Sequence, residues 1–304
     1  MTPSLLKARK PLEVKPGRIK GVLFGGPGAG KTWAALSFPR PYYIDTEGGA
    51  DLAHYMKRLD AAGGMYLGPE EGACDFDVIA DQLRALGTTK HEFKTVVIDS
   101  ITKVWYAKWS AESERLGDKD VFGAAKKAPI RAMRRLISLV DRIDLNVWFV
   151  AQETAEWQTV KGERQEVGRV PDVWDKLGYE LDLCLRVEKF PAMRAATVWK
   201  SRLIGFPDND RFDLQRDGKD LSYEAISSRH AKDAIEAEAK PIELVSTEAV
   251  VEIKRLLEAV RVSEEDVDRL LTKAKAERVE DLPREHGEKM LAWLNAKVTK
   301  RNGG

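Results

Sequence analysis

The chain has 304 residues, 43% of them hydrophobic, with 50 Lys and Arg against 49 Asp and Glu for a formal net charge of +1. That length suits one large α/β domain plus a small module, and the near-zero charge excludes a global basic field, so any nucleic-acid contact has to be a local patch. Two cysteines, Cys74 and Cys184, form no metal pattern and no apolar run is long enough to span a membrane, so a cytoplasmic, reducing setting is expected. Residues 1–17 read as an arm rich in Lys and Pro, without the apolar stretch of a signal peptide. Ile19 to Phe24 is a short β-prone run, followed by a glycine-rich stretch and a helix over 32–37 that Phe38-Pro39 closes. Pro41-Tyr42-Tyr43-Ile44-Asp45 reads as a second strand. Leu52, Met56 and Leu59 share one helical face, which predicts a helix over 51–61, ended by Gly63-Gly64. The same spacing predicts a helix over 76–86. Thr95-Val96-Val97-Ile98 is a buried strand ending in Asp99, and Ser100 caps a helix running to about 115. Pro129 opens a helix to 143, and Asn146 to Ala151 is the next buried strand. Near-continuous apolar runs alternating with helices describe a mostly parallel sheet covered on both faces.

The pattern changes after residue 152. Residues 153–178 are polar with little periodicity. Leu181, Leu183, Leu185 and Val187 alternate with Asp182, Cys184 and Arg186, which predicts a half-exposed, antiparallel strand. Further strands of that kind are expected over 196–199 and 211–214. An Ala/Glu/Lys-rich stretch over 228–240 reads as a helical linker. Val250, Ile253, Leu257 and Val260 share a helical face, Ser263-Glu264-Glu265-Asp266 has the form of a capping box, and Pro283 starts a third helix with Met290, Leu291 and Leu294. The expected organisation is an arm (1–17), an α/β core (18–225), a linker (226–243) and a small C-terminal three-helix module (244–304).

The chemistry starts at Gly25-Gly26-Pro27-Gly28-Ala29-Gly30-Lys31-Thr32, which fits the phosphate-binding pattern G-x-x-x-x-G-K-[ST] between a strand and a helix start. Glycines let the backbone fold closely round a polyphosphate, and successive N–H groups then face the anion. Lys31 would reach the β- and γ-phosphates and Thr32 would give its hydroxyl to Mg²⁺. Asp99, ending an apolar strand, has the position of a second Mg²⁺ ligand. Ser100 follows it rather than Glu, so a water-activating carboxylate must come from elsewhere. Glu47, in Tyr43-Ile44-Asp45-Thr46-Glu47-Gly48-Gly49, stands just past the end of a strand, where ligands bind in open α/β sheets, and a carboxylate there can deprotonate an attacking water.

The order GGPGAGKT, YYIDTEGG, TVVIDS and FVAQ resembles the ATPase core of RecA/RadA-type recombinases. More closely, it resembles the phage-encoded P-loop ATPases of that superfamily, the Sak-type single-strand annealing and recombination proteins. The resemblance covers residues 18–225. It implies a RecA-like core with late antiparallel strands, ATP and Mg²⁺ as ligands, Glu47 as general base and Gln152 as γ-phosphate sensor. It also implies a homo-oligomer in which two cations on a late strand reach the neighbour's nucleotide; Lys200-Ser201-Arg202 has that spacing. A pair of surface cations on an edge strand is the other reading of Lys200 and Arg202.

In the resembled family two loops bind single-stranded DNA. The first corresponds to an acid-free basic run, Lys126, Lys127, Arg131, Arg134 and Arg135, which forms a phosphate track or else a solvated helix face. The second corresponds to 153–178, where Trp157 and Trp174 would stack on bases although acids offset the cations there. Single-stranded DNA is thus the expected partner, with a single-strand-binding protein or another recombination protein as a further one. A ring-forming helicase-type motor on the same core, and a nucleotide-gated loading protein with little turnover, are the rival readings.

Overall fold

The computed structural model describes residues 17–120, 123–216 and 220–302; the arm expected over 1–17 lies, apart from Gly17, outside them. Ten strands carry the architecture: β1 (Lys20–Phe24), β2 (Pro41–Asp45), β3 (Met65–Leu67), β4 (Thr95–Asp99), β5 (Asn146–Ala151), β6 (Glu153–Val160), β7 (Glu163–Pro171), β8 (Leu183–Lys189), β9 (Arg194–Ser201) and β10 (Arg211–Asp213). Eight of them form one sheet in the order β10-β9-β8-β1-β5-β4-β2-β3. From β8 to β3 neighbours run parallel, while β9 and β10 are antiparallel additions. The fold is therefore α/β with a mostly parallel sheet and late antiparallel strands.

The central strands lack polar alternation because both faces are covered. On one face Val22, Phe24, Val96, Ile98, Val147 and Phe149 pack under helices α3 (Phe76–Thr88), α4 (Ile101–Leu116) and α5 (Lys127–Arg142). On the other, Leu23, Tyr43, Val97, Trp148 and Val150 pack with Ala34 and Ala35 of α1 (Lys31–Ala35) and Leu59 of α2 (Ala53–Ala61). Each fully buried aliphatic or aromatic side chain contributes about 1.5–3 kcal/mol, so these two layers set the stability of the core.

Four expectations need correction. The short β3 is an addition to the expected strands. Strand β8 is more buried than expected: it pairs with β1 as well as with β9, and Cys184 faces one core cluster while Leu183, Leu185 and Val187 face the other, so only Arg186, Glu188 and Lys189 keep the half-exposed pattern. The segment expected to be irregular holds a separate hairpin of β6 and β7, then the short helix α6 (Leu177–Glu180). Lys161 and Gly162 turn that hairpin with positive φ values of 52° and 87°. Its strands are polar on both faces, so no hydrophobic period betrays them. After the short α7 (Glu224–Ser227), the stretch over 228–240, expected to be helical, is so only over α8 (Lys232–Glu236). Beyond α8 the backbone leaves the helix, and Arg18 donates to the carbonyls of Ala234, Ile235, Ala237 and Glu238, tying the segment to the start of β1.

Helices α9 (Thr247–Val260), α10 (Glu264–Lys273) and α11 (Arg284–Asn302) share a third apolar cluster. Ser246 and Ser263 cap the first two, accepting from the backbone N–H of Ala249 and Asp266. The cluster is held to the core by ions: Asp281 accepts from Arg135 Nε at 2.7 Å and from Arg84 Nη2 at 2.6 Å. Burial alone would raise the Asp281 carboxyl, but the two guanidiniums outweigh it and hold the group below the usual carboxylate range.

Candidate active site

The carboxyl ends of β1, β2, β4 and β5 meet along one edge of the sheet, the edge where open α/β folds bind ligands. Strand β5 lies between β1 and β4, so the residue after it emerges between the glycine loop and Asp99. The loop itself packs against β8: a Cβ on Gly25 would run into the Val187 carbonyl. Gly30 holds φ at +96°, a left-handed conformation that glycine takes without strain, and the helix starts at the next residue. Lys31 Nζ donates to the carbonyls of Gly25 at 2.7 Å and Gly26 at 3.0 Å. Burial pushes its pKa down, while Asp99, Glu153 and Glu47 pull it back up.

Thr32 Oγ1 donates to Asp99 Oδ2 at 2.7 Å, and the Tyr43 hydroxyl donates to the same oxygen at 2.5 Å. Burial raises the pKa of Asp99; the two hydroxyls oppose the rise, and Asp45 and Glu47 add to it. Among the described residues no group of three or more His, Cys, Asp or Glu is arranged to hold a metal by itself. The hard oxygens of Thr32 and Asp99 beside the glycine loop do fit Mg²⁺, which takes few protein ligands and shares the rest with phosphate and water.

Asp45, which carries no motif role in the sequence, builds the loop that holds Glu47. Its buried carboxylate accepts from the backbone N–H of Glu47 and Gly48 through Oδ1, and of Ala50 through Oδ2, at 2.7–3.0 Å. The Tyr66 hydroxyl donates to it as well. Thr46 and Ser100 exchange two further bonds, which tie this loop to the end of β4. Cys74 Sγ donates to the Thr46 carbonyl from behind. Glu47 Oε1 then accepts from Ser100 Oγ at 2.5 Å and from Gln152 Nε2 at 3.4 Å. Ser100, notable in the sequence as a helix cap standing where a Glu could be, thus also holds Glu47.

Gly25, Gly26, Pro27, Lys31, Thr32, Glu47, Asp99 and Gln152 therefore line one cleft of about 450 Å³, within the range of small-molecule sites. Ser100, Val150, Ala151, Glu153 and Arg169 complete its wall. Arg169 has no motif to announce it; it reaches the cleft from β7.

The remaining candidates lie elsewhere. Lys200 and Arg202 donate to the carbonyls of Leu181 and Tyr179. Ser201 pairs with Leu183, which pairs with Gly21, so both cations sit at the amino edge of β1, away from the glycine loop of their own chain. Lys126, Lys127, Arg131 and Arg134 are exposed, with Lys126 over the Trp109 ring at 4.6 Å and Arg131 4.0 Å from Asp268. Arg135 is a correction: only 4% of its side chain is exposed, and Asp281 and Asp77 neutralise it, so it cannot track phosphates. Trp174 is a second: it is buried in the core cluster with residues of α5 and has no face to offer a base. Trp157 is half-exposed on the hairpin, with Arg164 over its ring at 5.0 Å.

Solved structures resemble the chain, among them the following two. One is the crystal structure of the RadB recombinase, at 20% identity, covering 68% of this chain and 90% of that chain with a TM-score of 0.44. The other is an ATPase domain, at 13% identity, covering 66% of this chain and 81% of that chain with a TM-score of 0.41. No curated protein matches it. Residues 18–213, more than half of the chain, match the family described as AAA domain, and the chain belongs to that family.

Proposed function

We propose that the protein is a Mg²⁺-dependent ATPase with a RecA-like core, acting on single-stranded DNA in phage recombination or annealing in the host cytoplasm. The observation that carries the reading is the convergence, on one cleft, of Lys31, the Thr32–Asp99 pair and a Glu47 held by Gln152. Lys31 exchanges its loop carbonyls for the β- and γ-phosphates, a better partner for an ammonium group. Thr32 and Asp99 would hold a Mg²⁺, which when bound would supply charge neutralisation on the phosphate oxygens. Glu47 takes the proton of the attacking water; its Oε1 is already engaged by Ser100 and Gln152, which leaves Oε2 for the water. Gln152 stands beside Glu47 at the foot of the hairpin, and in this reading it senses the γ-phosphate and reports its presence to β6.

Lys200 and Arg202 act in trans in this reading. Their place at the amino edge of β1 favours a neighbour stacked on that edge over a role in their own cleft. Single-stranded DNA runs along Lys126, Lys127, Arg131 and Arg134, with Trp157 stacking on a base.

The test is steady-state phosphate release with and without single-stranded DNA, run beside Lys31→Ala. Turnover that DNA stimulates and the variant lacks is expected. Wild-type activity in Lys31→Ala would overturn the site, and binding without turnover would make the protein a nucleotide-gated loader. An anisotropy titration across salt checks the DNA part: replacing Lys127, Arg131 or Arg134 should lower the log–log salt slope by roughly 0.7 for each phosphate that is no longer neutralised.

A further inference from the structure

The geometry points to Arg169 as a residue that binds the γ-phosphate of the nucleotide in cis, exchanging Glu166 for it and so coupling the β6–β7 hairpin to the nucleotide state. The inference rests on the nucleotide reading above.

Arg169 lines the same cleft as Lys31, Thr32 and Glu47, and it arrives from the hairpin rather than from the sheet. The base of the hairpin is fixed there: Asp172 N donates to Gln152 O at 2.8 Å, and Glu153 pairs with Pro171 across the strands. Ala155 is the cross-strand partner of Arg169. Counting two residues along each strand puts Arg169 on the face that carries Glu153, the side chain beside Gly26 of the phosphate loop. Ala155 offers only a methyl group, so nothing opposite clamps the guanidinium in place.

The charges around it leave Arg169 the cation to spare. Glu153 is already paired with Arg186 at 2.9 Å. The partner of Arg169 is Glu166, also at 2.9 Å, with both side chains 40% exposed. An exposed pair of that kind contributes little, and a phosphate oxygen offers a stronger charge-assisted bond. The hairpin forms its own two-stranded sheet, so its orientation is not fixed by pairing with the main sheet. A γ-phosphate that captures Arg169 pulls on β7 two residues from the hairpin base, while ADP presents no such oxygen. Trp157, paired with Glu166 in the ladder, rides on the part that moves.

Equilibrium titrations with ATPγS and with ADP, on the wild-type chain, Arg169→Ala, Arg169→Lys and Glu166→Gln, test this. Arg169→Ala should lose roughly ten- to hundredfold of its ATPγS affinity while keeping its ADP affinity. Arg169→Lys should retain part of the difference, and Glu166→Gln should bind ATPγS at least as tightly as the wild type. Amide hydrogen exchange over residues 156–168 should slow with ATPγS in the wild type and not in Arg169→Ala. Unchanged affinities in Arg169→Ala, an equal loss for both nucleotides, or a loss in Glu166→Gln would overturn the inference and leave the nucleotide site intact. A wild-type chain that binds neither nucleotide would overturn the nucleotide reading, and this inference with it.

Discussion

Polar groups gather in two places in this protein and are tied down in opposite ways. At the carboxyl edge of the sheet they hold one another through bonds a ligand can take over. Lys31 donates to loop carbonyls, Thr32 to Asp99, and Gln152 to Glu47, with Glu47 and Gln152 open to solvent. At the seam between the core and helices α9 to α11 the bonds are final. Arg135 and Asp281 are 4% and 2% exposed, and Asp281 sits between two guanidiniums. The difference is one of reference state. A half-exposed group exchanges partners with water at little loss, whereas a buried ion without its partner is left uncompensated. The first arrangement is fit for turnover and the second for fixing a shape.

The comparison can be broken most severely at Glu47. Glu47→Gln keeps the size and the bonds to Ser100 and Gln152 but removes the proton acceptor, so hydrolysis should slow roughly 10²–10⁴-fold with near-normal ATP binding. Single-turnover kinetics read it directly; a full-rate variant would move the base to another acid, with Glu153 the first to try. At the seam the same size of change falls on stability instead. Asp281→Ala should cost up to about 3–5 kcal/mol, because it leaves the buried Arg135 only the half-exposed Asp77 and Arg84 only Asp81 as counter-charges, and denaturant titration with ATP binding measured at low denaturant separates the two effects. Because the folded Asp281 carboxyl lies below its ordinary value, its contribution is present above the unfolded value of 3.8 and fades as pH falls through the folded one. Acid titration should therefore weaken the wild type more than the variant.

Asp45 sharpens the comparison, since it is buried like the seam yet serves the site. Asp45→Asn replaces a charged acceptor of three backbone N–H groups by an amide, and a loss of about 1–3 kcal/mol is expected. A slower hydrolysis step with an unchanged affinity for ADP would show that the residue works by placing Glu47. A probe that works by pH alone is Lys20, buried at the start of β1 and donating to the carbonyls of Ile143 and Leu145. Burial lowers its pKa from 10.5 to about 7. Between those values the unfolded chain binds the extra proton, so stability should rise with pH by up to about 1.4 kcal/mol per unit. Thermal melts from pH 7 to 10 should show this slope in the wild type and not in Lys20→Met.

The legible parts of the chain are those whose physics is local. The glycine loop needs its residues in unbroken order, because backbone conformation and side-chain reach are set within eight positions. The buried strands announce themselves because covering both faces demands continuous apolar runs. What stays hidden depends on residues far away. Arg135 looks like its neighbours Arg131 and Arg134 until Asp281, 146 positions on, supplies its counter-charge. Trp174 and Trp157 look alike until one is found in the core and the other on a hairpin. Strand β8 reads as half-exposed because its polar neighbours alternate, and its place beside β1, between the two core clusters, is what buries its first half. Arg169 has no signature, since a single cation near a cleft is visible only once the hairpin is folded.

The pairing of β1 has a consequence for the chain as it is made. Its two neighbours in the sheet are β5 and β8, so Phe24 meets Ala151 and Arg186. At about 5–20 residues per second, the ribosome delivers the second of these partners roughly 10–30 s after the first strand has emerged. For that interval a largely apolar, β-prone segment waits without its full sheet, followed by a glycine loop that packs on a strand not yet made. The nascent chain is then most exposed to aggregation and to chaperones, and a truncated product ending before β8 would keep β1 as an open edge.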